Sequence, residues 1–396
     1  MKKRVLLTVL LCALLAVMLP AAGTKEAAAA EKVKITYSFW GTPDEGAAVQ
    51  KVADRFNASQ NRIVVEIMAI PHDTYVTKLN TLATAKNLPD CGIMSEAGVL
   101  QFAENGLLYD ITDMYGAGDA KPLDSLAFRY QGKPVAYSAA NEVLLMFYNK
   151  DMFDKAGVAY PPADAEHAWT WDEFVYNAKL LTLDANGNNA TSRSFNPNAI
   201  VQYGCMVENL TWQLEVWALS NGSGFYTDDG SRVIINEAAA IDAIQKVADL
   251  HLVHHVAPLS TGLTDDGIQR SLIAGTCAMS TNGAWNVGTS LASARAEGLN
   301  YGVGVLPYMK EKVTICTGGP NVVFSQTKNP KEAMEWVKWY MQEENSWDLI
   351  ETGIWMPILD KWYTDEALTR NGFRFVLGND PSIEIIGEAA DGETAI

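Results

Sequence analysis

The chain from Val33 to about residue 106 alternates three times between a short β-strand pattern and a helix pattern. The strands read VKITYSF, RIVVEIMAI and CGIMS, and the helices that follow them repeat apolar residues at every third or fourth position. This order predicts an α/β fold with a parallel sheet covered by helices on both faces. Ligands of such sheets collect at the carboxyl ends of the strands, which are here residues 40–44, 70–72 and 95–96.

Length and charge limit the class of partner. The 396 residues are 48% apolar and predict two to three domains. The net charge is −17, and after the basic N-terminus no cluster of Lys or Arg interrupts the acidic surface. Such a surface repels nucleic acid, so a neutral ligand is the expected partner and nucleic acid is not.

The N-terminus has the pattern of an export signal. A basic start at residues 2–4 precedes the apolar run 5–19, which is too short for a comfortable membrane span. Small residues at 21–23 and 28–30 offer two cleavage sites. We therefore expect residues 1–23 to be a signal peptide, with residues 28–30 as the alternative cleavage site. The mature protein is expected to lie in a periplasm or on the outer face of the cell membrane.

Motifs for cofactors and metals are missing from the sequence. No GxGxxG, GxxxxGK[ST], GxSxG or CxxC occurs, so we expect no cofactor. The histidines of HLVHH (residues 251–255) have metal-like spacing, but imidazoles at a helix end also cap carbonyls. The loop 184–195 resembles a calcium loop without its Gly and Glu. We therefore predict no metal site. The cysteines after the signal, Cys91, Cys205, Cys277 and Cys316, lie in apolar, strand-like segments and are expected to be small buried hydrophobic residues; a Cys277–Cys316 disulfide is the alternative if those strands are neighbours.

Two carboxylates, Glu96 and Glu142, are the candidates for a catalytic role. Each lies where a strand meets a loop, and a glycosidase uses two carboxyl groups on either side of its scissile bond. The sequence gives no separation between them, so a secreted glycosidase stays open as an alternative. The preferred interpretation assigns no catalytic residue and no enzyme activity.

Four tryptophans at element edges indicate a carbohydrate cleft. In AGTCAMSTNGAWNVG a buried strand is expected to end in a turn at Asn282-Gly283, which then presents Trp285. Trp40, Trp212 and Trp355 likewise lie beside Gly, Thr, Asn or Pro. Aromatic faces stack on the apolar faces of sugar rings, while carboxylates and amides bind the hydroxyl groups at the ring edge.

Several longer segments resemble the family 1 extracellular solute-binding proteins of ABC transporters, which include the maltose- and glycerol-3-phosphate-binding proteins. The resemblance runs from about Val33 to Leu359 and rests on YVTKLNTLATAKNLPDCGIMS, FAENGLLYDIT, LLMFYNKDMFDKAGV, WTWDEF, LIAGTCAMSTNGAWNVG and GGPNVVFSQTKNPKEAMEWVKW. Two departures are Cys91 after Pro-Asp, where an apolar residue is usual, and the short end at residues 384–396.

The resemblance implies a two-lobed periplasmic-binding-protein type II fold, in which each lobe is a mixed sheet flanked by helices. The N-lobe is expected at 33–141 plus 308–350, and the C-lobe at 142–307 plus 351–396. The hinge is expected to be crossed about three times, near residues 141–144, 306–307 and 349–353. Closure of the lobes around a ligand creates the surface that a transporter recognises.

The resemblance also implies a set of ligand-binding positions. Trp285 is similar to the aromatic residue that stacks on sugars in maltose-type members, and the other positions correspond to loops that line the ligand: Trp40, Asp44, Glu96, Glu142, Asn209, Trp212, Asn282, Gly319, Asn321, Trp355 and Met356. The implied function is binding of a sugar, expected to be an oligosaccharide, by a monomer that serves ABC permease subunits. A glycerophosphodiester or another polar solute is the alternative ligand.

Overall fold

The computed structural model describes residues 32–41, 43–71, 74–116, 119–227, 232–259, 267–351, 353 and 355–359. Predictions that fall elsewhere, among them the signal peptide 1–23 and most of the segment 351–396, lie outside the described residues. Within the described residues, every helix is too short or too polar to span a bilayer.

The first sheet has six strands in the order β2-β1-β3-β12-β5-β4. Both β2 and β3 run parallel to β1, whereas β12, β5 and β4 are antiparallel to their neighbours. The strands are β1 (Val33–Phe39), β2 (Ile63–Ala69), β3 (Cys91–Ile93), β4 (Ala127–Tyr130), β5 (Lys133–Ser138) and β12 (Pro320–Val323). The helices around it are α1 (Pro43–Ser59), α2 (Tyr75–Thr84), α3 (Glu96–Glu104), α9 (Pro330–Tyr340) and α10 (Glu343–Glu351).

The second sheet follows the order β10-β6-β9-β8-β7, and β11 pairs with the start of β6 beside it. Here β8 and β9 are parallel, and the other pairs are antiparallel. The strands are β6 (Glu142–Asn149), β7 (Leu183–Asp184), β8 (Ile200–Val207), β9 (Cys277–Gly283), β10 (Tyr301–Gly304) and β11 (Cys316–Thr317). The helices are α4 (Lys150–Ala156), α5 (Trp171–Leu181), α6 (Thr211–Ser220), α7 (Ala238–Leu252) and α8 (Ser290–Ala296).

Each sheet has its own hydrophobic core. In the first, Tyr37 on β1 packs edge-on against Trp336 on α9, with ring centroids 5.6 Å apart. In the second, Trp171 on α5 meets Trp217 on α6 at 5.1 Å. Two cores around two sheets make two lobes, so the predicted two-lobed α/β architecture with mixed sheets is what the chain forms.

The chain changes sheet at two described places. It leaves the first sheet between Ser138 and Glu142, which overlaps the predicted crossing near residues 141–144. It returns at Gly318–Gly319, between β11 and β12, instead of at 306–307. The second core is contacted by Met309, Val313 and Ile315. Residues 308–317 therefore belong to the second lobe, and their predicted place in the first lobe is wrong.

The third crossing had been expected near residues 349–353. Leu349 before it and Trp355, Ile358 and Leu359 after it are all buried in the first core. Leu359 also bridges to Pro122. The described residues before and after the predicted third crossing therefore both lie in the first lobe, because contacts with residues distant in sequence hold them in its core.

The alternative of a Cys277–Cys316 disulfide is wrong, and the preferred interpretation as buried residues holds for Cys91, Cys205 and Cys277 but not for the exposed Cys316. Cys316 lies opposite Val143 at the start of β6, whereas Met279, two residues after Cys277, lies opposite Tyr148 near the end of that strand. At about 3.3 Å per residue this register separates the two cysteines by roughly 20 Å, and a disulfide needs Cα atoms within about 7 Å. None of the four described cysteines forms a disulfide.

Candidate functional site

Strand β9 carries Trp285 to the region between the lobes. All seven residues of β9 are buried, and a 3-10 turn over Ala284–Asn286 follows directly. Gly283 is extended, with φ −81° and ψ 152°. The expected turn at Asn282-Gly283 is therefore wrong, since both residues stay in the strand, paired with β6, and the chain turns only after them.

Two asparagines brace this turn. The Asn282 side-chain oxygen accepts hydrogen bonds from the Gly283 N–H (2.7 Å) and from Asn286 Nδ2 (3.0 Å). Asn286 Nδ2 also lies 3.0 Å from the Gly283 carbonyl. Both side chains are buried, so these bonds are shielded from competing water and hold the turn that orients Trp285.

The Trp285 indole lies over Gly283 and beside Trp212. A Cβ on Gly283 would lie 1.9 Å from the indole, so only glycine leaves room for it. The Trp212 and Trp285 ring centroids are 5.8 Å apart, and their planes are inclined by 48°. Trp285 is half-buried and packs against both hydrophobic cores, which places it between the lobes.

Asn209 comes from the loop that links β8 to α6, and Trp212 comes from the first turn of α6. Strand β8 ends at Val207, and α6 begins at Thr211. Because β8 and β9 are parallel neighbours, Asn209 and Trp212 emerge at the same sheet edge as Trp285. Asn209 Oδ1 and Asn282 Nδ2 are buried and have no hydrogen-bond partner among the described residues.

Glu208 was missed by the sequence analysis. It follows β8 directly, and its side chain is 1% exposed. Its carboxylate fills the space above Gly267, where a Cβ would lie 1.1 Å from Oε1. The signal in the sequence was a carboxylate at the carboxyl end of a strand that turns out to be parallel to its neighbour.

The first lobe contributes Trp40 at the end of β1. Its ring meets the Tyr75 ring edge-on at 4.8 Å, and a Cβ on Gly319 would lie 3.3 Å from it. Gly319 has φ +55°, a left-handed conformation that favours glycine. Asp44 opens helix α1, but its side chain lies outside the described residues.

Glu96 and Glu142 lie on either side of the return crossing. Ser95 caps α3 by accepting from the Gly98 N–H, and Glu96 Oε1 accepts from the Gly318 N–H at 3.3 Å. Glu142 begins β6 and is the register partner of Thr317, the residue before Gly318. Both acidic residues are therefore built around the backbone that connects the lobes.

The remaining predicted positions are built into the first lobe. Asn321 is 1% exposed and accepts a hydrogen bond from the Tyr37 hydroxyl at 2.6 Å. Trp355 is 7% exposed, with its ring 6.4 Å from that of Phe39. The Met356 carbonyl accepts from the Asn141 N–H at 3.1 Å, so it ties the end of the described chain to the first crossing.

The two segments with metal-like patterns have structural roles. His251 Nδ1 lies 2.8 Å from the Pro258 carbonyl at the end of α7, and burial lowers the pKa of His251. Asp184 accepts from the backbone N–H groups of Asn186, Asn188 and Asn196 and so organises its loop. In the described part of the chain, no group of three or more His, Cys, Asp or Glu side chains is arranged for a metal ion.

Comparison with solved structures identifies the architecture. A substrate-binding protein of an ABC transporter from Listeria monocytogenes, solved in complex with cycloalternan, superposes with a TM-score of 0.71. The two are 24% identical over 89% of this chain and 85% of that one. At this identity the superposition shows a shared fold, and it confirms the predicted two-lobed architecture.

Sequence comparison adds the family. Residues 51–374 match the family model described as bacterial extracellular solute-binding protein. A protein of Brucella abortus described as a binding protein is 28% identical over 144 residues, which is 34% of this chain and 32% of that protein. The sn-glycerol-3-phosphate-binding periplasmic protein of Agrobacterium fabrum is 24% identical over 311 residues, 72% of this chain and 63% of that protein. The chain thus spans about a third of the Brucella relative's length.

Proposed function

The chain belongs to the bacterial extracellular solute-binding proteins, and from this membership we propose that it binds a neutral oligosaccharide between its lobes and presents it to an ABC importer. Residues 1–23 act as the export signal in this proposal, and the permease subunits are the protein partners. The binding protein needs no covalent chemistry for this role, because the importer uses only the closed, loaded state.

The observation that carries the proposal is the pair formed by Trp212 and Trp285. Two indoles inclined by 48° with centroids 5.8 Å apart present a bent aromatic surface at the edge of the second sheet. Burying an aromatic side chain against a ligand contributes about 1.5–3 kcal/mol. Two such platforms suit a ligand with more than one ring, and Trp40 supplies a third ring from the other lobe.

Polar atoms beside the pair support a hydroxyl-rich ligand. Asn209 Oδ1 can accept and Asn282 Nδ2 can donate, and both are buried without a partner among the described residues. A buried polar atom without a hydrogen bond costs about 1–3 kcal/mol, so a sugar hydroxyl that reaches it restores that energy. The net charge of −17 favours a neutral sugar over an anion.

A titration tests the proposal. The mature protein is mixed with linear and cyclic oligosaccharides, including cycloalternan, while tryptophan fluorescence is recorded and the same samples are checked for products by chromatography. We expect a saturable change with at least one oligosaccharide and no product. A response to none of the sugars would contradict the proposal, and cleaved sugar would make the protein a glycosidase, with Glu96→Gln and Glu142→Gln as the variants to examine.

A phosphorylated ligand is the second candidate, because the Agrobacterium relative binds sn-glycerol-3-phosphate. Recognition of a phosphate usually involves Arg, Lys or a helix N-terminus. The described polar side chains that the sheet topology brings to this edge beside Trp212 and Trp285, those of Asn209, Asn282 and Glu208, are instead two amides and a carboxylate. A glycerophosphodiester is therefore included in the titration, and a saturable response to it alone would favour this candidate.

A further inference from the structure

The chain returns to the first lobe at Gly318, and hydrogen bonds fix this residue on both of its edges. Its carbonyl accepts from the Ala139 N–H at 3.0 Å and from the Ala140 N–H at 3.3 Å, and both alanines belong to the first core. Its own N–H donates to Glu96 Oε1 at 3.3 Å. Gly318 is buried and has φ +140°, and a Cβ there would lie 2.4 Å from the Ala140 carbonyl oxygen, so the position requires glycine.

The Glu96 carboxylate continues the ladder of hydrogen bonds between β3 and β12. The two strands are antiparallel, and just past the end of β3 the Met94 N–H donates to the Pro320 carbonyl at 2.8 Å. Helix α3 begins two residues later, at Glu96, and the side chain of this residue binds the returning chain at Gly318. The first lobe therefore holds the returning chain two residues further, from Pro320 to Gly318.

This bond lies at the boundary between the two lobes. Thr317, the residue before Gly318, is paired with Glu142 in the second lobe, whereas the Gly318 and Gly319 carbonyls both accept from the Ala139 N–H in the first. Two successive glycines have a wide range of backbone conformations. A chain that released the Gly318 N–H would therefore bend over both glycines, and not at the single junction between Thr317 and Gly318.

The bond is present in a conformation in which the lobes touch. Trp285 packs against both hydrophobic cores, so the second lobe contacts the first through this ring. Loss of the Glu96 acceptor would leave the Gly318 N–H buried without a partner, unless the hinge rearranged to expose it to water. The bond therefore favours the conformation with touching lobes over more open ones.

We propose that Glu96 is a positioning residue that restricts the hinge and holds the lobes near the conformation in which both cores contact Trp285. It acts through the Gly318 backbone and not by contact with the ligand. Removal of the bond shifts the equilibrium toward open conformations, so every ligand that requires closure loses affinity by the same factor. The effect on affinity rests on the proposed function, whereas the effect on the lobe positions does not.

Three substitutions separate the reach of the side chain from its charge. Glu96→Ala removes both, Glu96→Gln keeps an acceptor at the same length without the charge, and Glu96→Asp keeps the charge at the N-terminus of α3 but is one methylene shorter. We expect Glu96→Ala and Glu96→Asp to behave alike, and Glu96→Gln to stay close to the wild type. Glu104→Ala is the control, because it removes an exposed carboxylate from the last turn of the same helix.

The lobe positions are measured first, in the mature protein without sugar. Nitroxide labels are attached at Lys51→Cys on α1 and Lys155→Cys on α4, two exposed positions, with Cys316→Ser to remove the exposed native thiol. Electron–electron double resonance then gives the distribution of distances between the lobes. We expect this distribution to be broader in Glu96→Ala and Glu96→Asp than in the wild type, Glu96→Gln or Glu104→Ala.

Titration with the oligosaccharides of the first experiment, cycloalternan among them, measures the effect on binding. Glu96→Ala and Glu96→Asp should each weaken binding by about threefold to tenfold, by the same factor for every sugar that binds. Thermal melting shows whether each variant is folded, and if Glu96→Ala is not, Glu96→Asp carries the comparison.

Four outcomes separate this proposal from its alternatives. Unchanged lobe distances in Glu96→Asp would overturn it, and so would equal broadening in Glu104→Ala. Broadening in Glu96→Gln as large as in Glu96→Ala would assign the effect to the charge and not to the bond. A loss of affinity for some sugars alone, with unchanged lobe distances, would make Glu96 a ligand contact. If no sugar binds, the proposed function fails, and the lobe distances still decide the role of Glu96.

Discussion

The indole of Trp285 rests above the Cα atom of Gly283, two residues earlier in the chain, so closely that a Cβ there would lie 1.9 Å from the ring. Gly283 has an ordinary extended conformation, with φ −81°. The requirement for glycine therefore comes from the indole and not from the backbone. The orientation of the proposed stacking surface therefore depends on this contact as well as on the Asn282 and Asn286 hydrogen bonds that hold the turn.

Gly283→Ala is expected to displace the Trp285 ring and weaken oligosaccharide binding by about tenfold or more, which corresponds to about 1.4 kcal/mol. Alanine adopts this φ without strain, so we expect the fold to survive. Gly46→Ala is the control, because nothing lies within 4 Å of its added Cβ and alanine favours the helix. Titration and thermal melting of both variants measure the effect; unchanged affinity in Gly283→Ala would contradict it.

Trp285→Ala and Trp212→Ala should each weaken binding by about thirtyfold, since a central aromatic contact contributes about 2 kcal/mol. The double variant should lose less binding free energy than the sum of the two single losses, because the rings touch each other as well as the ligand. Trp339→Phe is the control, as Trp339 packs on Phe56 in the first lobe. Calorimetric titration of the single and double variants decides the point, and full affinity in Trp285→Ala would remove stacking from the mechanism.

Only one described thiol should react in the native protein. Cys316 is exposed, whereas Cys91, Cys205 and Cys277 are buried. Burial raises the pKa of the Cys91 and Cys205 thiols well above its usual value, and it raises the pKa of Cys316 as well, so exposure is the main difference that favours reaction at Cys316. Labelling the mature protein with a thiol reagent should give one group per chain, abolished by Cys316→Ser, and four after denaturation. No native labelling would contradict the exposure of the Cys316 thiol.

Acid should weaken the loop organised by Asp184. Burial by itself raises the pKa of this carboxyl, but the N–H groups of Asn196, Asn188 and Asn186 outweigh it and hold the pKa below its usual range. A carboxyl whose pKa is lowered by folding stabilises the protein at pH values above its pKa in the unfolded chain, about 3.9. That stabilisation is lost as the pH falls through the pKa of the folded state.

Asp184→Asn should therefore be less stable than the wild type at pH 7, and the difference should shrink below about pH 4, near the unfolded pKa. Denaturant unfolding at several pH values measures this. Asp113→Asn, a change at an exposed carboxyl, should leave the pH dependence as it is. A difference that stays constant down to pH 2 would show that shape, and not charge, is what Asp184 contributes.

Local pattern was enough for most of the elements. Val33–Phe39 forms the strand that its sequence pattern predicted, and Pro43–Ser59 forms the helix that the apolar spacing after it predicted. Side-chain periodicity is a property of neighbouring residues, so a single sequence contains it. The signal for Trp285 at the end of a buried strand was of the same kind, and only the position of the turn was wrong.

The site shows where that information stops. Trp285 and Trp355 looked alike as tryptophans at element edges, yet Trp355 is buried in the first core beside Phe39 and Tyr340. Glu208 belongs to no sequence motif, and only the parallel pairing of β8 with β9 places it at the same sheet edge as Trp285. Whether a ring faces a cleft or a core depends on residues hundreds of positions away.

The sequence by itself determined the α/β class through its periodicity, and its motifs indicated the family, whose resemblance implied the two lobes; periodicity and motifs are both contained in contiguous residues. The tertiary structure alone decided that the chain returns to the first sheet at Gly318–Gly319, that Trp212 stands beside Trp285, and that Cys277 and Cys316 are far apart. Each of these depends on the register between strands distant in sequence, and register is set by the packing of both cores at once.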